Sequence, residues 1–253
     1  MRIKSILVSQ PKPENDKSPY QELAERNNLK IDFRPFIKVE GIPAKEFRQE
    51  RIDLLEHTAV IFTSRTAIDH FFRIAEEMRV TIPDSMKYFC ISESVALYLQ
   101  KYIVYRKRKI FYGRNVFKDL VEHEISKHSA EKFIVPLSDI HKPEIPRVLD
   151  KNKIEYTKAI LYRTVSNDLS DLSDVNYDVL VFYSPSGIKS LYQNFPDFEQ
   201  NETKIACFGP HTARAVKKAG LRLDIEAPSP KAPSMTMALE IYIKEYNKNG
   251  VSK

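Results

Sequence analysis

Four short turns hold the side chains of this chain best suited to chemistry. They are TSRT (63–66), SES (92–94), YSPSG (183–187) and GPHT (209–212). Each ends an apolar run and opens a helical pattern, which places it at the carboxyl end of a parallel strand. Helix N-termini there expose backbone N–H groups and partial positive charge, an arrangement that suits carboxylates or phosphates. Thr63, Ser64, Ser92, Ser184, Ser186 and Thr212 add small hydroxyl donors without blocking the backbone. Arg65, Gly187, Gly209 and His211 complete the same turns. For any single serine, plain helix capping is the favoured reading. Convergence of the four turns on one cleft would make an anion-binding site.

Other chemistries find little support. The six histidines show no i,i+3 or i,i+4 pairing and the two cysteines form no CxxC, so no metal site is expected. Neither G-x-G-x-x-G nor GxxxxGK[ST] occurs among only six glycines, which argues against a nucleotide-phosphate loop. Ser184 lies in S-P-S-G, not in the G-x-S-x-G elbow of a hydrolase.

The elements that carry these turns repeat. AVIFTSRTAIDHFF (59–72) parallels VLVFYSPSGIKSLY (179–192), with Ser64 over Ser184. YFCISESVALYL (88–99) parallels KIACFGPHTARAV (204–216), with Cys90 over Cys207. A fainter pair links 6–33 to 133–157. Strand-like runs fall at 3–9, 31–39, 59–63, 88–91, 102–105, 132–136, 156–162, 179–183, 204–208 and 221–226, most of them separated by helical patterns. This is the βαβ alternation of parallel sheets. Pro185 and Pro210 are placed as early-helix prolines and Gly220 as a C-cap glycine. The opening unit resembles the closing unit of the middle block and has no partner until residue 179. Residues 1–36 plus 166–253 therefore form one discontinuous α/β domain, and residues 42–157 an α/β domain inserted into it. The strands 37–41 and 158–165 are expected to cross between them as a two-strand hinge. Residues 166–178 read as a polar boundary, and the tail after Tyr246 is expected to fray.

The chain has 253 residues, 42% of them hydrophobic, enough for two small cores. No apolar run reaches the roughly 20 residues of a membrane span, and the N-terminus lacks a signal-peptide pattern. Cysteines at matched strand positions point to a reducing compartment, read as the cytoplasm. The net charge of +6 favours an anionic partner. The basic cluster Arg106 to Lys109 reads as a solvated turn between strand and helix. It has no interleaved aromatics, so nucleic acid is not expected as a partner.

FYSPSGIKSLY, then IACFGPHTARAVKKAGL, then APSP at 227–230, closely resemble the C-terminal half of the uroporphyrinogen-III synthase family. IFTSRTAIDHFF resembles its first-domain F-T-S segment, and LYRTV (161–165) its tyrosine-bearing hinge strand. Order, spacing and length agree across nearly the whole chain. The resemblance implies two flavodoxin-like parallel-sheet domains, one inserted in the other. It implies a monomeric lyase of heme biosynthesis that needs no cofactor. Such an enzyme cyclises linear hydroxymethylbilane with loss of water and inversion of the last pyrrole ring, by closing a cleft around it. Carried over residue by residue, Tyr162 is the hinge tyrosine, either the acid that protonates the departing hydroxyl or a packing residue. Thr63, Ser64, Ser184, Ser186, Gly187 and Thr212 fall on the substrate-binding turns. His211 replaces a threonine, SESVA replaces a G-x-x-T-A pattern, and PLSDIHKPEI lacks the usual arginine-and-glycine turn. The alternative is a non-catalytic clamp that binds a tetrapyrrole or polycarboxylate.

Overall fold

Continuous apolar runs form the centres of two parallel sheets. They must be apolar on both faces because helices cover both. The structure is a computed structural model and describes residues 2–14, 18–172 and 176–249. The chain divides into two compact units, one of residues up to Lys38 and from Val165 onward, the other Val39–Thr164.

In the first unit, β1 (Ser5–Val8), α1 (Pro19–Asn27) and β2 (Lys30–Phe33) open the chain. After the second unit come β9 (Val179–Phe182), α7 (Pro185–Asn194), β10 (Lys204–Phe208), α8 (Pro210–Lys218), β11 (Ile225–Ala227) and α9 (Met235–Asn249). The spatial order is β11-β10-β9-β1-β2 with parallel pairing throughout. Read from the other edge this is 2-1-3-4-5, the flavodoxin-like order. Ile6, Val8, Val179 and Val181 bury against α1 and α9, while Leu7, Leu180, Phe182 and Ile205 bury against α7 and α8.

The second unit contains β3 (Ile37–Gly41), α2 (Ala44–Phe47), β4 (Ala59–Phe62), α3 (Arg65–Glu77), β5 (Lys87–Cys90) and α4 (Glu93–Tyr98). It continues with β6 (Ile110–Tyr112), α5 (Phe117–His123), β7 (Phe133–Ser138), α6 (Glu144–Lys151) and β8 (Tyr156–Ser166). Its sheet runs β3-β8-β7-β4-β5-β6. Counted from β7 through β8 and then β4, β5 and β6, the core order is again 2-1-3-4-5. The unit is thus a circular permutation of the first, which accounts for the match of residues 133–157 to the chain's opening. Both β3 and β8 extend across the division between the units and are neighbours in this sheet.

The expected α/β class with two parallel sheets is what the molecule adopts. Several local expectations fail for physical reasons. The run at 31–39 splits into β2 and β3. Pro35 has no N–H to give a ladder, and Phe36 turns in to pack edge-on against Phe182 at 5.5 Å. Residues 102–105 form no strand. Tyr102 stacks on Phe72 at 4.5 Å and bonds Asp69, which ties it sideways to α3. The sixth strand is Ile110–Tyr112 instead. The basic cluster lies just before it, with Arg106 and Lys109 both reaching Asp84. The last strand shortens to β11, and α9 carries the helix past Tyr246 to Asn249. The remainder of the expected frayed tail, residues 250–253, lies outside the described residues, as do 173–175 of the expected polar boundary. Among the described residues no helix is long and apolar enough to cross a membrane.

Asp69 ties α3 to the end of α4 and the segment after it by accepting from Tyr98 at 3.0 Å, Lys101 at 2.9 Å and Tyr102. Burial alone would raise its pKa, but these hydrogen bonds and the Lys101 charge outweigh it and hold the carboxyl below its ordinary value. A carboxyl depressed on folding contributes stability above its unfolded pKa, and that contribution is lost as pH falls through the folded one. Acidification below about pH 4 should therefore lower the urea midpoint of the wild type more than that of Asp69→Asn. Equal acid sensitivity of the two proteins would show that Asp69 contributes nothing.

Candidate functional site

The two turns of the second unit form where β4 and β5 end. Ser64 leaves β4 in extended backbone and accepts the Ala67 N–H at 3.0 Å as the N-cap of α3. Ser92 does the same for α4, accepting from Val95 at 3.4 Å and pairing with the Ser94 hydroxyl at 3.1 Å. Beside β4, β7 ends as well, and the carboxyl ends of β4, β5 and β7, with the middle of β8, surround a cavity of about 430 Å³. Thr63, Ser64, Asn115, Ser138, His141, Lys142, Glu144 and Tyr162 are its polar lining, and Ile91, Phe117, Leu137 and Ile145 are among its apolar lining.

Tyr162 is half-buried on β8, with its ring stacked on that of His70 at 4.9 Å and 17°. Burial raises the pKa of its phenol, and a hydrogen bond with the Ser64 hydroxyl partly offsets this. The phenol is therefore protonated at neutral pH and can donate. Thr63, Ser64 and Tyr162 are brought together in one cavity; Ser92 and Arg65 do not line it. Ser92 is buried, with its oxygen committed to capping. Arg65 is exposed, with its guanidinium 5.4 Å over the Tyr98 ring.

The first unit presents its own pair of turns at the ends of β9 and β10. Ser184 caps α7 by accepting the Gly187 N–H at 3.2 Å, and Ser186 lies half-buried in the next turn. A Cβ on Gly187 would come within 3.2 Å of the Phe182 ring, so a larger residue there would require that ring to give by a few tenths of an ångström. Gly209 has φ +87°, which admits no ordinary side chain without strain. Its N–H donates to the Ala227 carbonyl at 2.6 Å. His211 is exposed and accepts from Arg214 through Nδ1 at 3.1 Å. Thr212 is only 2% exposed, so at this position α8 offers its backbone more than the hydroxyl. Removing the Ser184 cap should cost about 1 kcal/mol as Ser184→Ala and a few tenths as Ser184→Gly, read from urea midpoints. A ligand role for the hydroxyl would appear as equal loss of affinity in both variants, whatever their stability.

Sequence reasoning missed His70, His141 and Lys142. His141 fixes its ring by donating from Nδ1 to the Ser138 carbonyl at 2.9 Å, and Lys142 follows it on the cavity wall. Both lie in PLSDIHKPEI, the segment read only for its missing arginine. The spacing of His70 and Arg73 on α3 was the available signal for the first.

A family model described as "Uroporphyrinogen-III synthase HemD" matches residues 18–237. The chain belongs to the uroporphyrinogen-III synthase family. A uroporphyrinogen-III synthase of Chlorobaculum parvum is 22% identical over 96% of this chain and 100% of its own length. Two solved structures share the fold. One is the enzyme from Helicobacter pylori, with TM-score 0.57, 16% identity and coverage of 96% of this chain and 100% of that one. The other is a mutant from Thermus thermophilus, with TM-score 0.51, 13% identity and coverage of 97% and 99%. The resemblance read from FYSPSG and IACFGPHTARAV thus leads to the family whose model matches residues 18–237. Uroporphyrinogen-III synthases are lyases of tetrapyrrole biosynthesis and act on a small-molecule tetrapyrrole substrate.

Proposed function

We propose that this chain cyclises linear hydroxymethylbilane to the type III uroporphyrinogen, with Tyr162 as the proton donor. The observation that carries this reading is the Tyr162 phenol beside Ser64 at the edge of a cavity of about 430 Å³. The apolar wall of Ile91, Phe117, Leu137 and Ile145 suits a pyrrole ring. The cavity's hydroxyls and Lys142, together with the helix N-terminus behind Ser64, suit its carboxylate arms.

Tyr162 gives its proton to the terminal hydroxyl as the carbon–oxygen bond breaks, and water leaves. The resulting cationic carbon is attacked by the substituted position of the last pyrrole, which forms the spiro intermediate. Rearrangement inverts that ring, and the final loss of a ring proton restores aromaticity and reprotonates the phenolate. The protein's part is to hold the chain folded for this attack and to exclude water. In this reading the chain acts as a monomer in the cytoplasm without a cofactor. The buried, unpaired Cys90 and Cys207 agree with a reducing compartment.

Incubation of the purified chain with hydroxymethylbilane, oxidation of the products and separation of the isomers tests the proposal. The type III isomer should dominate. Type I alone, at the rate seen without protein, would overturn it and leave a binding protein.

A further inference from the structure

On α3, His70, Arg73 and Glu77 follow one another at i, i+3 and i+7, and so share a helix face. That face meets β8 where Tyr162 sits. The imidazole of His70 lies flat against the Tyr162 ring, with centroids 4.9 Å apart at 17°. Arg73 is held on every side. Its Nη2 donates to the carbonyls of Ile42 at 2.9 Å and Leu161 at 3.1 Å. Its Nη1 meets the Glu77 carboxylate at 2.5 Å, and the other oxygen of Glu77 takes the Ala44 N–H at 3.0 Å. The guanidinium lies so close over Gly41 that a Cβ there would come within 2.6 Å of its Cζ.

The remaining donor of this fixed group, Nε, points at Nδ1 of His70 at 3.1 Å. Arginine has no acceptor, so Nδ1 must accept. The imidazole is then neutral, with its proton on Nε2. Burial and the neighbouring Arg73 charge act in the same direction by lowering the His70 pKa. Arg73 therefore grips the backbone of Leu161, one residue before Tyr162, and also the ring on which Tyr162 rests.

We propose that His70, locked by Arg73, is a positioning residue that sets the direction of the Tyr162 phenol in the cavity. This rests on the reading of Tyr162 as the proton donor. Catalysis is sensitive to this kind of placement, since a shift of about 1 Å at a reacting group can cost about a hundredfold. His70 itself does not line the cavity, so its effect must pass through Tyr162.

The test combines kinetics with the tyrosine ring resonances of the full chain, labelled with ¹³C-tyrosine. Tyr162 is assigned by its loss in Tyr162→Phe. His70→Ala should lower kcat about tenfold or more with little change in KM, and should move the Tyr162 resonance, which the imidazole ring current shifts in the wild type. His70→Phe, which keeps a flat ring, should restore most of kcat. In the Tyr162→Phe background His70→Ala should have no further effect, because coupled residues are not additive. An unmoved Tyr162 resonance in His70→Ala overturns the proposal, and so does an equal kcat loss in both backgrounds. Normal turnover of Tyr162→Phe alone would remove the proton-donor reading, while the resonance would still decide whether His70 holds the ring. If His70→Ala does not fold, His70→Phe against His70→Leu makes the same comparison at nearly constant volume.

Discussion

Tyr162→Phe is expected to lower turnover about 10²-fold or more, within the range of about 10²–10⁴ for loss of a general acid, with the fold intact. The substitution removes one oxygen and keeps the ring that stacks on His70 at 4.9 Å. The packing contribution is therefore preserved and only proton donation is lost. KM should change little, because the turns proposed to bind the carboxylates are untouched. Burial raises the Tyr162 pKa, so the acid form persists beyond the ordinary tyrosine value of about 10. Wild-type turnover should thus show no loss attributable to this group anywhere between neutrality and pH 9. Steady-state kinetics with isomer analysis would settle the matter. Unchanged turnover in Tyr162→Phe would move the proton to bound water or to the substrate's own carboxylates.

The second large effect concerns the strand that delivers Thr63 and Ser64. Phe62 is fully buried at the end of β4, edge-on to Phe71 at 5.5 Å and parallel to Tyr88 at 6.2 Å. Phe62→Ala should destabilise the second unit by about 3–5 kcal/mol through lost transfer energy and the cavity left behind. Parallel β-strands on both sides cannot collapse into that space without breaking their ladders. Urea unfolding followed by far-UV circular dichroism would measure the loss. A change below about 1.5 kcal/mol would mean that the ring's neighbours refill its place more freely than close packing allows.

Much of the fold was readable from local pattern. AVIF and VLVF had to be doubly covered parallel strands, since only such strands are apolar at every position. Ser64, Ser92 and Ser184 were readable as caps, because a hydroxyl just before a helical pattern has orphan N–H groups within reach. Each is seen to cap. Pro185, Pro210 and Gly220 were legible for the same reason, as residues whose own backbone restricts or frees them.

The misread stretches were those in which a side chain found a distant partner. Tyr102 to Tyr105 carries strand-forming residues, yet Asp69, far away in the chain, draws Tyr102 out of the sheet. The burial of Thr212 at the start of α8, likewise, depends on helix packing and left no mark in the spacing of its turn.

By itself, then, the sequence determined the alternation of strand and helix, the doubled α/β pattern, the family and the turns at the strand ends, because each depends on periodicity, capping or order along one chain. The tertiary structure alone decided that Tyr162, Thr63, Ser64, His141 and Lys142 share one cavity, and that His70 lies under Tyr162 with Arg73 behind it. Those contacts join strands and helices far apart in the sequence. Their distances follow from sheet order and helix packing, which no local pattern encodes.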